Sequence, residues 1–230
     1  MVDLHSHVLP GMDDGSRSVE ESLQMLRDSA EQGVDLMAAT PHFYPAEENI
    51  EQFLGRRESA FRQLEKAWQA GLPRLLPGAE IYYFEGMNHV QALNDLQIGG
   101  TGLLLIEMPF SRWSRRMVED VMTVHARPHI QVVLAHIERY LPFRNAEALD
   151  ALRDSGVLMQ SNAEFFLHWR TRHKALRMLR RGEIDFLGSD CHNMSSRAPN
   201  LGAAAAVGGS GIQTAEDTLR RFLPEREAKL

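Results

Sequence analysis

The sequence predicts an α/β protein whose parallel strands and helices alternate around a β/α ring, and three observations lead there. Seven short apolar runs, at residues 2–5, 34–40, 75–80, 103–107, 130–136, 157–161 and 184–190, recur between longer amphipathic stretches. Strands that alternate with helices pair in parallel. Gly33, Gly71, Gly156 and Gly182 each stand just after a helical pattern, where a left-handed C-cap is wanted. Finally, six of the seven runs close on, or are just followed by, a His, Asp or Glu. In a parallel β/α barrel all strand C-termini open onto one face, so residues far apart in sequence converge there.

Taking the elements in order, Ser18-Val-Glu-Glu21 has the pattern of a capping box. The helix it opens sets Val19, Leu23, Leu26 and Ala30 on one face. Further helices are predicted over residues 47–70, 86–95, 114–126, 145–154, 171–181 and 214–222. Residues 203–212, which include Gly208-Gly209-Ser210-Gly211, are simple in composition and read as a flexible connection before the last helix. At 230 residues, 43% apolar and 24% charged, the chain is expected to form one domain over 1–230.

The formal net charge is −6, and basic pairs such as Arg115-Arg116 and Arg180-Arg181 are interrupted. This disfavours nucleic acid as the main partner, because backbone binding needs a concentrated positive face. Cys191 is the only cysteine, so no internal disulfide is possible and a reducing compartment is expected. The first twenty residues carry His5, His7, Asp13 and Asp14, which neither a signal peptide nor a membrane span would hold. A cytoplasmic location without membrane insertion is the expectation.

The candidate chemistry lies in the residues that end the runs: His5, His7, His42, Glu80, Glu107, His136, Asp190 and His192. His5-x-His7 sets two imidazoles on one side of an extended chain, where both can clasp one ion, and Asp190-x-His192 repeats the geometry. Mixed imidazole and carboxylate donors suit zinc, manganese or iron better than magnesium or calcium. So many charged groups pointing inward would be costly without a cation among them. His89, His125, His129, His168 and His173 end no run and read as ordinary surface or core residues.

Several segments carry a more specific signal. Asp3-Leu-His-Ser-His7, Leu9-Pro-Gly-Met-Asp-Asp-Gly15, Ala39-Thr-Pro-His42, Leu76-Pro-Gly-Ala-Glu80, Ile106-Glu-Met-Pro-Phe110, Ala135-His-Ile-Glu-Arg139 and Ser189-Asp-Cys-His-Asn193 follow one another along the chain. In this order they resemble the motifs of the polymerase-and-histidinol-phosphatase (PHP) type protein tyrosine phosphatases of bacterial capsule and exopolysaccharide systems. The resemblance implies a distorted seven-stranded (β/α) barrel of the TIM-like PHP fold, holding three divalent ions, manganese first with iron or zinc as alternatives. It assigns His5, His7, Glu80 and Asp190 to one ion, with Glu80 bridging to a second held by Glu107 and His136. Asp14, His42 and His192 take the third, with Asp13 the alternative to Asp14.

Arg139 and Arg197 match the arginines that grip the substrate phosphate, for which a planar guanidinium is suited. The implied reaction is phosphomonoester hydrolysis by a metal-activated hydroxide, without a covalent phosphoenzyme. The phenolate leaving group is protonated by a bound water or by Asp14. The implied partner is a phosphotyrosine protein, the tyrosine-rich tail of a bacterial tyrosine kinase. Two positions depart from the family pattern, Phe43 where a histidine is common and Ile137 where proline is favoured. Both bear on substrate preference more than on the metals.

Phe43, Tyr44, Tyr82, Phe84, Phe110 and Trp113 follow run ends and are candidates to line the mouth. Rival readings have distinct signatures. Cys191 and Arg197 have the Cys-x5-Arg spacing of thiolate phosphatases, but the intervening residues contain no glycine and Pro199 disfavours helix at Ala198. A metal-dependent amidohydrolase that bridges its metals through a carboxylated lysine would need one at a run end, and Lys66, Lys174 and Lys229 are not. A PHP phosphatase for a small phosphomonoester would keep the same fold and metals, and only its substrate preference would differ.

Overall fold

The computed structural model describes residues 1–223. It contains nine strands, β1 (Val2–Ser6), β2 (Leu36–Ala39), β3 (His42–Phe43), β4 (Arg74–Pro77), β5 (Glu80–Tyr82), β6 (Leu103–Glu107), β7 (Gln131–Leu134), β8 (Leu158–Asn162) and β9 (Phe186–Gly188). The run at 75–80 divides into β4 and β5 on either side of Gly78-Ala79, and β3 follows the 34–40 run after Pro41, which lacks an N–H. All pairing is parallel, in a three-stranded sheet of order β1-β2-β4 and a six-stranded half-barrel sheet of order β3-β5-β6-β7-β8-β9. The sheets meet where Asp190 N–H donates to His5 O (2.8 Å) and His7 N–H to Cys191 O (2.9 Å).

Along β6 and β7 alternate residues face opposite sides, as a two-residue period requires. Leu104, Ile106, Val132 and Leu134 join the large cluster packed under the helices. Leu103, Leu105, Val133 and Ala135 join Leu4, Ala38, Leu76 and Phe186 in a second cluster between the two sheets. Truncating such a buried leucine to alanine costs about 2–5 kcal/mol. Glu107 continues the Leu103, Leu105 side of β6 to the strand's end, which is how an inward apolar stripe delivers a carboxylate to the mouth.

The helices are α1 (Val19–Glu31), α2 (Ile50–Lys66), α3 (Arg115–His125), α4 (Ala146–Asp154), α5 (Glu164–Leu167), α6 (Arg172–Arg180), α7 (Leu201–Gly208) and α8 (Ser210–Arg220). Ser18 caps α1, its side chain accepting from Glu21 N–H, but the reciprocal half of the expected capping box does not form, because Glu21 Oε2 accepts from Arg17 N–H (2.9 Å) instead. Asn49 and Gln52 form a capping box that starts α2 three residues later than predicted.

Two further predictions are corrected. Residues 86–95 form 3-10 turns, Met87–His89 and Gln91–Leu96, not one helix. The cause is Arg127, which donates to the carbonyls of Val90 (2.8 Å) and Asn88 (2.7 Å) that a helix would have used. Residues 203–212 are not an irregular connection. They belong to α7 and α8, which meet at Gly209 with φ +55°. Alanine favours helix, and Leu201, Ala204, Ile212 and Ala215 are buried, so packing holds this segment. Among the described residues no helix is long and apolar enough to cross a membrane. The expected domain boundary at 230 lies outside them.

Candidate metal centre

His5 and His7 end β1, where two glycines let the chain close in. A Cβ on Gly188 would lie 2.5 Å from His5 Cβ, and one on Gly15 would lie 2.4 Å from His7 O. Only glycine admits β9 and the Asp13-Asp14-Gly15 loop at this range. Asp13 then reaches His7, its Oδ2 accepting from His7 Nδ1–H (2.7 Å) and from His42 N–H (2.8 Å). On the other ring, His5 Nδ1–H donates to Gln160 Oε1 (3.2 Å). That oxygen is fixed as an acceptor because it also receives the His136 N–H (2.7 Å).

With both Nδ1 atoms protonated, a neutral imidazole presents Nε2 as a bare lone pair. The two Nε2 atoms stand 3.2 Å apart. Glu80 Oε2 lies 3.1 Å from that of His5 and 3.3 Å from that of His7, and Asp190 Oδ1 lies 3.5 and 3.4 Å from them. Donors held at about 2.0–2.2 Å around one tetrahedral ion are about 3.3–3.6 Å apart, so this spacing fits a cation at their centre.

Two further groups adjoin the first. Glu80 Oε1 accepts from His136 Nε2 (2.8 Å), which also approaches Glu107 Oε1 (3.3 Å). His42 Nδ1 lies 3.0 Å from Glu80 Oε2 and 4.0 Å from Glu107 Oε2. On the outer side Asp14 Oδ1 is 3.7 Å from His42 Nε2 and 3.4 Å from His192 Nε2. The ligand-capable atoms thus form three groups: His5, His7 and Asp190; His42, Glu80 and Glu107; His7, Asp14, His42 and His192. His42 therefore reaches both the Glu107 side and the Asp14 side, more than the one ion the resemblance gives it. His136, an expected ligand, falls in none of these groups and meets the site only through its Nε2 contacts to Glu80 and Glu107; His89, His125, His129, His168 and His173 also lie outside them.

The donor set also passes a test of unmet bonding. His42 Nδ1, Glu80 Oε2 and His192 Nε2 are buried without a well-formed hydrogen bond, and a bound ion would complete them. His192 Nδ1 already donates to Asp190 O (2.9 Å), leaving Nε2 as the lone pair.

Charge balance says the same. Burial opposes ionisation of Glu80 and Asp190, but the surrounding histidines, His5 foremost, hold both carboxyls well below their ordinary range. Burial also disfavours charge on His136, yet Glu107 and Glu80 push it up to about 9. Against the same penalty Asp13 raises His7 well above an ordinary histidine. Burial and the charges on His7 and Arg197 bring His192 down to about 3. The carboxylates thus demand positive charge, which protons on imidazoles or divalent cations can supply.

Asp190 turns its second oxygen outward. Oδ2 accepts from Arg139 (2.7 Å) and Asn162 Nδ2 (2.7 Å) and forms an ion pair with Arg197 (2.8 Å). Both arginines keep about a third of their side chain exposed and line a cavity of about 310 Å³ with Asn162, Glu164, Ser195 and Asn200. His136 and Asp190 have positive φ, +32° and +53°, a strain that clusters at functional sites.

Of the mouth aromatics, Tyr44 stacks on His42 (ring centroids 5.0 Å apart) and adjoins Tyr82 (5.8 Å). Phe110 is 44% exposed and adjoins His136. Phe43 and Trp113 are instead buried in the core, and Phe84 packs half-buried against it. Cys191 is fully buried in the same cluster, with burial and Asp3 pushing its thiol up. An inaccessible thiol with a raised pKa is no nucleophile.

Sequence reasoning missed Gln160 and Asn162. They sit on β8, the one run that ends in no ligand, and Gln160 Nε2 donates to Asn162 Oδ1 (3.1 Å). The strand thereby orients His5, His136 and Asp190 from behind. The available signal was the polar stretch Gln160-Ser161-Asn162, all buried, where a strand covered on both faces should be apolar.

Comparison with known proteins agrees with this geometry. The chain is 31% identical to the tyrosine-protein phosphatase YwqE of Bacillus subtilis over 204 residues, covering 86% of this chain and 79% of that one. It is 31% identical to the tyrosine-protein phosphatase CpsB of Streptococcus pneumoniae over 217 residues, covering 87% and 86%. A crystal structure from the pair YwqE of B. subtilis and CpsB of S. pneumoniae, described as metal-dependent tyrosine phosphatases, superposes with a TM-score of 0.79 at 25% identity, covering 99% and 97%. A Listeria monocytogenes structure proposed to be the histidinol phosphatase hisK shares the fold, with a TM-score of 0.51 at 12% identity, covering 84% and 95%. With residues 1–220 matching it, the chain belongs to the capsular polysaccharide synthesis family CpsB/CapC.

Proposed function

We propose that this chain is a metal-dependent protein tyrosine phosphatase that hydrolyses phosphotyrosine directly, without a covalent phosphoenzyme. One observation carries the reading: bare imidazole nitrogens and carboxylate oxygens at ion-ligand spacing share Asp190 with two arginines about a third exposed. His5, His7, Glu80 and Asp190 would hold one ion, Glu80, Glu107 and His136 a second, and Asp14, His42 and His192 a third. Asp14 suits the ligand role and Asp13 the outer one, because Asp13 is already engaged by His7 Nδ1 and two backbone N–H groups. When bound, the ions supply an acidified water and withdraw charge from the phosphoryl oxygens.

The chain's own residues do the rest. Arg139 and Arg197 present several N–H donors to a phosphate dianion and stabilise the charge that develops on its equatorial oxygens. Asp190 holds both in place through Oδ2. Tyr44 and Phe110, at the edge of the group, offer ring faces to a phenol. Asp14, the most exposed carboxylate of the set, or a water beside it would give the departing phenolate its proton.

The finer readings follow. The bonds from the end of β1 to Asp190 and Cys191, just past β9, support counting the strands as one closed, distorted seven-stranded barrel, formed by a single domain. Manganese, with iron or zinc behind it, suits the nitrogen and oxygen donors. We take the substrate to be the tyrosine-rich tail of a bacterial tyrosine kinase, and the location to be cytoplasmic.

The test is turnover of a phosphotyrosine peptide after chelation and readdition of manganese, iron or zinc singly, with histidinol phosphate and a nucleoside monophosphate in parallel. Activity restored by metal, favouring the peptide and lost in Arg139→Ala, is expected. Preference for a small phosphomonoester, or turnover indifferent to chelation, would overturn the reading.

A further inference from the structure

The acidic chain carries one segment of opposite character. From His168 to Gly182 there is no Asp or Glu, but there are Arg170, Arg172, Lys174, Arg177, Arg180 and Arg181. All six are exposed, as are His168 and His173. Beside them Trp169 is 71% exposed, with the Arg170 guanidinium 4.8 Å from its ring centroid. Among the described residues the only ion pair these cations make is Arg181 with Glu183 at 3.6 Å. The whole solvent face of α6 is therefore positive and unneutralised.

Its place in the fold gives the strip a direction. α5 begins at Glu164, which lines the same cavity as Arg139 and Arg197. Trp169 follows five residues later, and α6 leads away from it. We propose that Trp169 and the basic face of α6 form a docking surface for an acidic stretch of the substrate protein flanking its phosphotyrosine. This rests on the phosphotyrosine reading and adds to it what the enzyme recognises beyond the phosphate.

Charge complementarity carries the argument. A protein of net charge −6 repels an acidic chain everywhere except where cations are concentrated, so the strip steers approach toward the mouth. α6 spans about 14 Å at 1.5 Å per residue, which an extended peptide at about 3.3 Å per residue covers with four or five residues. Trp and Arg are the residues that anchor such contacts. A bilayer surface fits less well. The apolar side of α6, with Ala175, Met178 and Leu179, is buried in the core, so Trp169 alone would be left to insert.

The test compares two phosphotyrosine peptides of equal length, one with acidic and one with neutral residues on the flanks, at low ionic strength. The metal-loaded full chain should favour the acidic peptide by about five- to tenfold in kcat/KM, a size set by a few exposed ion pairs, and salt should erase the preference. In Arg170→Glu/Lys174→Glu/Arg177→Glu the preference should fall below about twofold, with Trp169→Ala intermediate. Turnover of a small aryl phosphate should stay within twofold in both, and the control reversal Arg62→Glu/Lys66→Glu on α2 should keep the preference.

Equal turnover of the two peptides by the wild type would overturn the docking proposal alone. Turnover of aryl phosphate but of neither peptide would overturn the phosphotyrosine reading with it. Loss of preference in the α2 control, or retention on phosphatidylglycerol vesicles that depends on the strip without any peptide preference, would also overturn it.

Discussion

The Nε2 atoms of His5 and His7 face each other at 3.2 Å, each ring having its proton on the far nitrogen, toward Gln160 and Asp13. Two lone pairs at that separation repel unless a cation, or an added proton, lies between them.

Metal binding should therefore displace protons. His7 is raised above an ordinary histidine and His136 is raised to about 9, so both carry charge at pH 7 in the metal-free protein and must lose it to become ligands. Calorimetry of manganese binding in two buffers of different ionisation enthalpy should show proton release at pH 7, and affinity should rise from pH 6 to pH 9. Binding indifferent to pH would refute this account of the donors.

Asp13→Asn should weaken metal affinity by about 10–100-fold by loosening His7, while Asp14→Asn should remove one ligand with little effect on folding, because Asp14 is exposed. His7 and the backbone bonds hold the Asp13 carboxyl well below its ordinary value despite burial. Such a group stabilises above its unfolded pKa, and the benefit is lost as pH falls toward the folded one. In metal-free protein the Tm gap between wild type and Asp13→Asn should be full near pH 6 and shrink below about pH 4.

Gln160→Ala strands the His136 N–H and the His5 Nδ1–H together. An unmet buried donor costs about 1–3 kcal/mol, so urea unfolding of the metal-free variant should show a loss of about 2–4 kcal/mol. A neutral result would mean that β8 does not support the site.

Arg139→Ala and Arg197→Ala should each lower kcat/KM on aryl phosphate by about 10²-fold or more, the scale of losing one preorganised donor. Arg139→Lys should recover only part, since an ammonium lacks the planar fork. Metal content, measured by elemental analysis, should be unchanged in all three.

Cys191→Ser should keep its activity, and iodoacetamide should not inactivate the native enzyme, because the thiol is buried and pushed up in pKa. Inactivation at the rate of an exposed thiol would revive the Cys-x5-Arg alternative.

The strand runs and their terminal ligands were legible because burial on both faces leaves continuous apolar segments, and a charged residue at the end of one is conspicuous. Less legible was anything decided by a distant partner. Residues 86–95 have helical periodicity, but Arg127 takes two of their carbonyls. Residues 203–212 look like a linker by composition, and only the packing of Leu201 and Ile212 makes them helical. Asp13 and Asp14 are adjacent and chemically alike. Which one meets His7 depends on the close approach of Gly15 to the His7 carbonyl, a distance no spacing rule encodes. Gln160 went unnoticed because an uncharged amide in a strand resembles a packing residue until its neighbours are known.

His7 belongs to two of the three ligand groups, and so does His42. Turning either ring to suit one ion shifts a donor needed by the next, so the ions should enter as a set. A titration followed by a spectroscopically visible divalent metal is then expected to be sigmoidal, and a partly loaded enzyme should be scarce at any intermediate concentration.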